Sequence, residues 1–309
     1  MTYVLRRLGQ AAVVLLLAYT VAYVLLAALP GDAVVARFAS PELGLSPEQL
    51  SVIREAYGFD RPLWERYLES VFAFVRGDFG YSVQTGASVS TLLATALPSS
   101  LVLAAWGLGA AILLAVGIAV TATFGPRVIR RGFRSLPPLF VSIPVFFVGI
   151  VLIQVFSFRL GLIPVINATP VQALILPVAT LAIPLSAPLA QVLIRSIDEV
   201  RAQPFVTVVR ARGASTSWLL WRNVARNAVL PALTMAGLIF GELVGGAVVT
   251  ESVFGRAGVG QLTAQAVAAR DAPVLLAVVV FSAFAFVIIN LLVDLAYPVL
   301  DPRLRGARR

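Results

Sequence analysis

Read along the chain, apolar residues run in six long blocks separated by polar stretches of unequal length. The blocks cover about residues 8–29, 97–124, 137–158, 171–194, 229–249 and 273–297. Each exceeds the roughly 18 apolar residues that a helix needs to cross a bilayer. The pattern predicts an all-α, polytopic membrane protein with six transmembrane helices, forming a single transmembrane domain over 1–309. Before the first block stand Arg6 and Arg7, and after it comes "AALPGDA", features that also end a signal peptide. The apolar run is longer than the usual core of a cleavable signal, which predicts an uncleaved anchor.

Two of the intervening stretches are long. Residues 30–96 have ordinary soluble composition, with eight acids against five arginines. Within them "SPEQLSVIREAYG" and "PLWERYLESVFAFV" read as amphipathic helices, and Ser46 with Gln49 three residues on forms a capping-box pattern. This stretch is expected to cover the assembly and to offer a docking surface. The other, 195–228, contains most of "FVTVVRARGASTSWLLWRNVARNAVLP", which begins at Phe205. That excursion carries Arg210, Arg212, Arg222 and Arg226 and no acid. Pro204 suits a first helical turn, where its missing N–H costs nothing. Phe205, Val208, Val209 and Arg212 follow at helical spacing on one face. Ala211 precedes Arg212, and Gly213 offers a left-handed cap. Ser217 is placed to cap a second short helix carrying Trp218 and Trp221. A tryptophan-arginine helix of this kind fits a membrane surface. An exposed Phe-Val-Val face ending at glycine instead predicts a knob for a protein groove.

Charge orients the bundle. The N-terminus and residues 125–134, 195–226 and 298–309 hold 16 arginines against three acids, Asp198, Glu199 and Asp301. The opposite loops hold the remaining eight arginines. The positive-inside rule therefore predicts that both termini and 195–228 are cytoplasmic, with 30–96 an extracytoplasmic insertion between spans one and two. Composition agrees: 59% of residues are hydrophobic, 13% are charged, and the mean hydropathy is +0.93.

The inventory excludes much chemistry. The sequence has no His and no Cys, and all 24 basic residues are Arg. A zinc or thiolate metal site lacks its ligands, so no metal site is expected. An ATP-binding P-loop lacks its lysine. Nucleophilic mechanisms that need His, Cys or Lys are gone. No enzyme and no resident cofactor are expected.

Two features inside the blocks point to movement or passage. Pro144 lies in the third, and Pro177, Pro184 and Pro188 in the fourth, where lost backbone bonds kink helices; these four are candidate gating prolines. "GELVGG", 241–246, supplies small residues for close helix approach. Glu242 is an acid deep in the fifth block, facing either a translocation path or a helix interface. Glu251 with Arg256 reads as an outer-loop pair, and Asp294 with Asn290 as packing at a helix end.

The excursion at 205–231 resembles the cytoplasmic signature loop of ABC-importer permeases, with Gly213 and Leu230-Pro231 at the spacing of the dipeptide and oligopeptide branch. "LPGDAV", "YGFDRPLWERYLESV", "RGDFGYSVQTGASV", "GAVVTESVFGRAGVGQL" and "NLLVDLAYPVLDPRLRG" look like that branch in the same order. Where the general pattern has Glu-Ala-Ala, this chain has Thr207-Val208-Val209, so docking without that glutamate rests on shape and apolar contact. The resemblance implies a type I importer fold in the cytoplasmic membrane of a bacterium. It implies a homologous second permease, two ATPase subunits carrying ATP and Mg, and an external peptide-binding protein; nucleic acid is not expected. Residues 204–213 would then be a coupling helix. Related importers of nickel, opines or glutathione-like solutes are alternatives, and a secondary transporter or channel is the alternative of another class.

Topology is directly testable. A single cysteine at Ser51 is expected to react from outside intact cells and one at Ser135 only from the cytoplasm. Outside labelling at Ser135 would overturn the assignment.

Overall fold

The computed structural model describes residues 2–28, 46–49, 52, 61–219, 222 and 225–300. Among them all regular structure is helical. Apart from short turns, the helices are α1 (Thr2–Ala28), α2 (Leu63–Val75), α3 (Val89–Phe124), α4 (Arg127–Ser142), α5 (Val145–Leu152), α6 (Gln172–Arg201), α7 (Pro204–Ala211), α8 (Thr216–Leu219), α9 (Ala225–Gly246), α10 (Val248–Val253), α11 (Val259–Ala268) and α12 (Ala272–Leu300). A π-helical segment, Ile153–Arg159, continues α5. Among the described residues four helices are long and apolar enough to cross a membrane: α3, α6, and the sections Gly9–Ala28 of α1 and Ala272–Val293 of α12. The pair Arg127–Ser142 and Val145–Arg159 makes a fifth if counted as one broken span. The fifth apolar block forms α9, whose apolar section is Pro231–Gly241.

The third block departs from expectation. It is not one kinked helix but two, bent by 104° at Ile143–Pro144. The cause is local. A residue before proline is pushed out of the helical region, and Ile143 is extended at φ −95°, ψ 122°. Pro144 therefore stands at the N-cap of α5 rather than inside a helix. Pro177, Pro184 and Pro188 do lie inside α6 without breaking it.

The helices belong to two compact units. The first comprises Met1–Ser100 and Ala257–Ala285. Here one face of α2 packs Tyr67, Val71 and Phe74 against Tyr19 and Ala22 of α1 and Leu276 and Val280 of α12. The Tyr19 hydroxyl pairs with Ser70, and Thr20 with Tyr67 at 2.7 Å. A second cluster joins Val89, Leu93 and Ala96 to Val259, Ala266 and Val274. The loop "GYSVQTGASV" is pinned by the buried Asp271 carboxylate. It accepts the Ser82 hydroxyl at 2.5 Å and the N–H groups of Val83 and Gln84 at 3.2 and 3.3 Å. The expected capping box is present, with Ser46 and Gln49 bonded reciprocally at 2.8 and 3.3 Å.

The second unit comprises Leu101–Arg256 and Phe286–Arg309. Helix α6 is central to it and packs against α4, α5 and α9. Proline at 177 removes the N–H that would bond the carbonyl of Ala173. Arg256 supplies the replacement, donating from its guanidinium to that carbonyl at 3.3 Å. Arg256 thus repairs a proline site rather than serving only an outer-loop pair, and Glu251, expected in that loop, is wholly buried in α10.

Helix α9 meets the end of α12 through Gly237 and Gly241, one turn apart. A Cβ on Gly237 would lie 2.5 Å from Val293 Cγ2, and one on Gly241 2.6 Å from the Phe286 ring. The close-approach residues are therefore this pair, with the spacing that lets membrane helices touch backbone to side chain; only Gly241 belongs to the expected 241–246 stretch. Alanine for glycine in a helix ordinarily stabilises by about 1 kcal/mol, whereas an overpacked site costs about 1–3 kcal/mol. Gly237→Ala is expected to lower the melting temperature of the purified protein more than Gly241→Ala. Val293 is stiff at χ1, while the Phe286 ring is 42% exposed and free to swing. Equal or reversed shifts in a thermal melt would contradict this packing.

Candidate functional site: a capped helix and its seat

The cationic excursion leaves α6 without a long linker. Ala202 N–H bonds the Asp198 carbonyl at 3.1 Å and Gln203 N–H that of Val200 at 3.1 Å, closing the last turn. Pro204 then opens α7 at its first position. The other end is closed by glycine. Gly213 N–H bonds the Arg210 carbonyl at 2.9 Å, and Ala214 N–H the Val209 carbonyl at 3.4 Å. This is the Schellman arrangement, which needs a left-handed residue after the helix. Gly213 has φ +85°, as required. A Cβ there would meet nothing within 4 Å, so the cost of any other residue is backbone strain alone.

Helix α7 is thereby a short, well-ended rod with two unlike sides. Val206 is 2% exposed and sits in a cluster with Ala119 of α3, Ile197 of α6 and Leu219 of α8. Val209 is half-buried against the same cluster, with Phe124, Leu193, Ile194 and Val200 around it. Fully burying side chains of this size stabilises by about 1.5–3 kcal/mol each. On the outer side Phe205 is 41% and Val208 53% exposed. Arg210, Ala211 and Arg212 are exposed beside them.

The sequence placed Phe205, Val208 and Val209 on one face. The structure separates them, because Val206 and Val209 form the inward pair while Phe205 and Val208 point out. Two i,i+3 apolar pairs overlap in this stretch, and the presence of neither could tell which one found a seat. Val206 is the anchoring residue that the sequence reading missed.

The second short helix is capped two residues earlier than expected. Ser215, not Ser217, accepts the Trp218 N–H on its Oγ at 3.2 Å, while its carbonyl accepts the Leu219 N–H at 3.0 Å. Leu219 is wholly buried under α7, and Trp218 is exposed with the Arg222 guanidinium 5.9 Å from its ring centroid. The exposed Trp218 ring thus carries a cation near its face at the surface of this unit.

The other singled-out residues stand apart from this site. Pro177, Pro184 and Pro188 belong to the body of α6, and Pro144 to the break before α5. Glu242 falls within α9, but its side chain lies outside the described residues, as does that of Asp294. Asn290 donates to the Phe286 carbonyl at 2.8 Å.

Comparison with known proteins places the fold and the loop in context. Two solved transporters share the fold at a TM-score of 0.53. An amino acid ABC transporter crystallised with histidines is 19% identical, matching 67% of this chain and 92% of that one. The methionine ABC transporter MetNI in an inward-facing form is 17% identical, matching 69% and 97%. Among curated relatives, the glutathione transport system permease protein GsiC of Escherichia coli K12 is 32% identical over 308 residues, 99% of each chain. The probable peptide ABC transporter permease protein y4tP of Sinorhizobium fredii is 33% identical over 314 residues, 98% of this chain and 99% of that one. Residues 107–306 match the family described as the inner membrane component of binding-protein-dependent transport systems, and residues 1–104 match its N-terminal region. The chain belongs to that family of ABC transporter permeases.

Proposed function

We propose that the chain is the permease subunit of an ATP-driven importer for di- and oligopeptides, and that α7 couples it to separate ATPase subunits. The observation that carries the reading is the two-sidedness of α7. It is a helix capped at its C-terminal end by Gly213 and anchored inward by Val206. Its outer side leaves Phe205 and Val208 exposed. An apolar pair held rigidly on a cationic, cytoplasm-facing loop is suited to a groove on a protein partner. Arg210 and Arg212 at its rim would set registry and approach more than affinity.

The assembly that follows has a homologous second permease, two ATPases carrying ATP and Mg, and an extracytoplasmic peptide-binding protein. Six spans, with both termini in the cytoplasm, satisfy the arginine distribution; α9 and the broken pair α4–α5 supply the fifth and third. Energy enters from outside this chain, which has no lysine for a P-loop. Relatives named for glutathione and for peptides favour a small peptide as cargo over nickel, and a chain without His or Cys fits that choice.

Phe205→Ala removes half of the outward pair, and Gly213→Val imposes left-handed strain of about 1–2 kcal/mol. Together they are expected to abolish stimulation of ATP hydrolysis by loaded binding protein in reconstituted vesicles, and with it uptake, while the permease still inserts and pairs. Wild-type stimulation in the double variant would make α7 a lipid-surface helix instead. For Glu242, Glu242→Gln is expected to lower uptake with assembly intact if the carboxylate lines the path; loss of the permease pair in detergent would assign it to packing.

A further inference from the structure

The cytoplasmic end of α3 presents the orphan carbonyls that every helix C-terminus leaves. The Thr121 carbonyl takes the N–H of Gly125 at 3.0 Å. The next two are taken by arginines from other elements. Arg134 of α4 donates Nε–H to the Ala122 carbonyl at 3.1 Å. The same guanidinium holds both carboxylate oxygens of Asp198 on α6 through Nη2, at 3.1 and 2.8 Å. Arg201, the last residue of α6, donates Nη1–H to the Thr123 carbonyl at 2.9 Å and lies 4.9 Å over the Phe124 ring. A planar guanidinium can serve several acceptors at once, which an ammonium on one stem does less well. Positive charge at this end of a helix is also favoured by the backbone dipole.

These contacts converge on the seat of α7. Ala119 and Phe124 of α3 belong to the cluster under Val206 and Val209. Arg201 is followed directly by the turn that opens α7 at Pro204. The end of α3 is therefore joined to the lever directly by apolar packing from beneath, and indirectly by charge-assisted hydrogen bonds to the end of α6, which leads into α7.

We propose that Arg134 and Arg201 are positioning residues that bind the cytoplasmic end of α3 to the seat of α7, so that these segments move as one body. The inference rests on the coupling role assigned to α7 above. Its consequence is a second output for the lever: displacement of α7 passes to α3 as well as to α6, which precedes it in the chain.

The cysteine-free chain makes this measurable. Spin labels at Thr207→Cys, exposed on α7, and Leu113→Cys, 76% exposed on α3, report their separation in the reconstituted complex. In the parent the distance is expected to stay the same between nucleotide-free and ATP–vanadate-trapped states. In Arg134→Gln/Arg201→Gln it is expected to broaden and shift between states. Uptake should fall about tenfold or more, the loss given by 1.4 kcal/mol or more of lost coupling, while ATP hydrolysis stays stimulated. Arg201→Lys, which keeps the charge and one donor, should recover part of both readouts, and it is the variant to read if the double one does not assemble. A parent distance that changes on trapping, or a double variant (or Arg201→Lys alone in its place) with parental distance and uptake, overturns the proposal. Phe205→Ala/Val208→Ala separates the two readings. If that control leaves uptake intact the coupling role fails, while the label distance still reports whether α3 and α7 are one body.

Discussion

A backbone carbonyl without a hydrogen-bond partner in apolar surroundings costs several kcal/mol, and the architecture is arranged around meeting that demand. Helices meet it internally except at their ends and at prolines. In the second unit arginines meet it at one proline and at one helix end. The Ala173 carbonyl, freed by Pro177, receives Arg256, and the terminal carbonyls of Ala122 and Thr123 receive Arg134 and Arg201. Where the chain turns before Pro144 the helix simply ends, and the direction changes by 104°.

The same demand explains which parts of the molecule were legible in the sequence. Block length revealed four long apolar helices among the described residues, because a helix satisfies so long an apolar segment in lipid, but it did not reveal that the third block is two helices. The cap at Gly213 was legible too, since a left-handed turn leaves few other choices of residue. Pro144 was harder. Its sequence neighbours forecast a disturbance, but whether the chain before a proline stays helical or extends, as Ile143 does, is decided by the surrounding packing. Arg256 is 83 residues from Ala173, and no local pattern announces such a pairing. Likewise the glycines that meet α12 are Gly237 and Gly241, and choosing them over 241–246 required knowing where Val293 and Phe286 stand.

Helix α7 shows how a short segment can present two unlike faces. Eight residues give two turns, enough for one inward and one outward apolar pair. The inward pair fixes the rod to α3, α6 and α8, and the outward pair, Phe205 and Val208, stays exposed. Without the inward anchor the outer residues would be borne on a wandering loop, and the entropy of ordering that loop would oppose every docking event. Preorganisation here comes from Val206, a residue that touches no partner.

The contact of Gly237 and Gly241 with Val293 and Phe286 also limits how the bundle can deform. Two helices that touch through larger side chains can slide, exchanging one set of ridges for another. At this crossing a slide of about one turn would bring Thr234, the next residue on the same face of α9, against Val293. Translation along the axis is therefore blocked, while tilting about the crossing is not. The pair of glycines makes the crossing of α9 with α12 a fulcrum, around which the two ends of α9 swing in opposite directions.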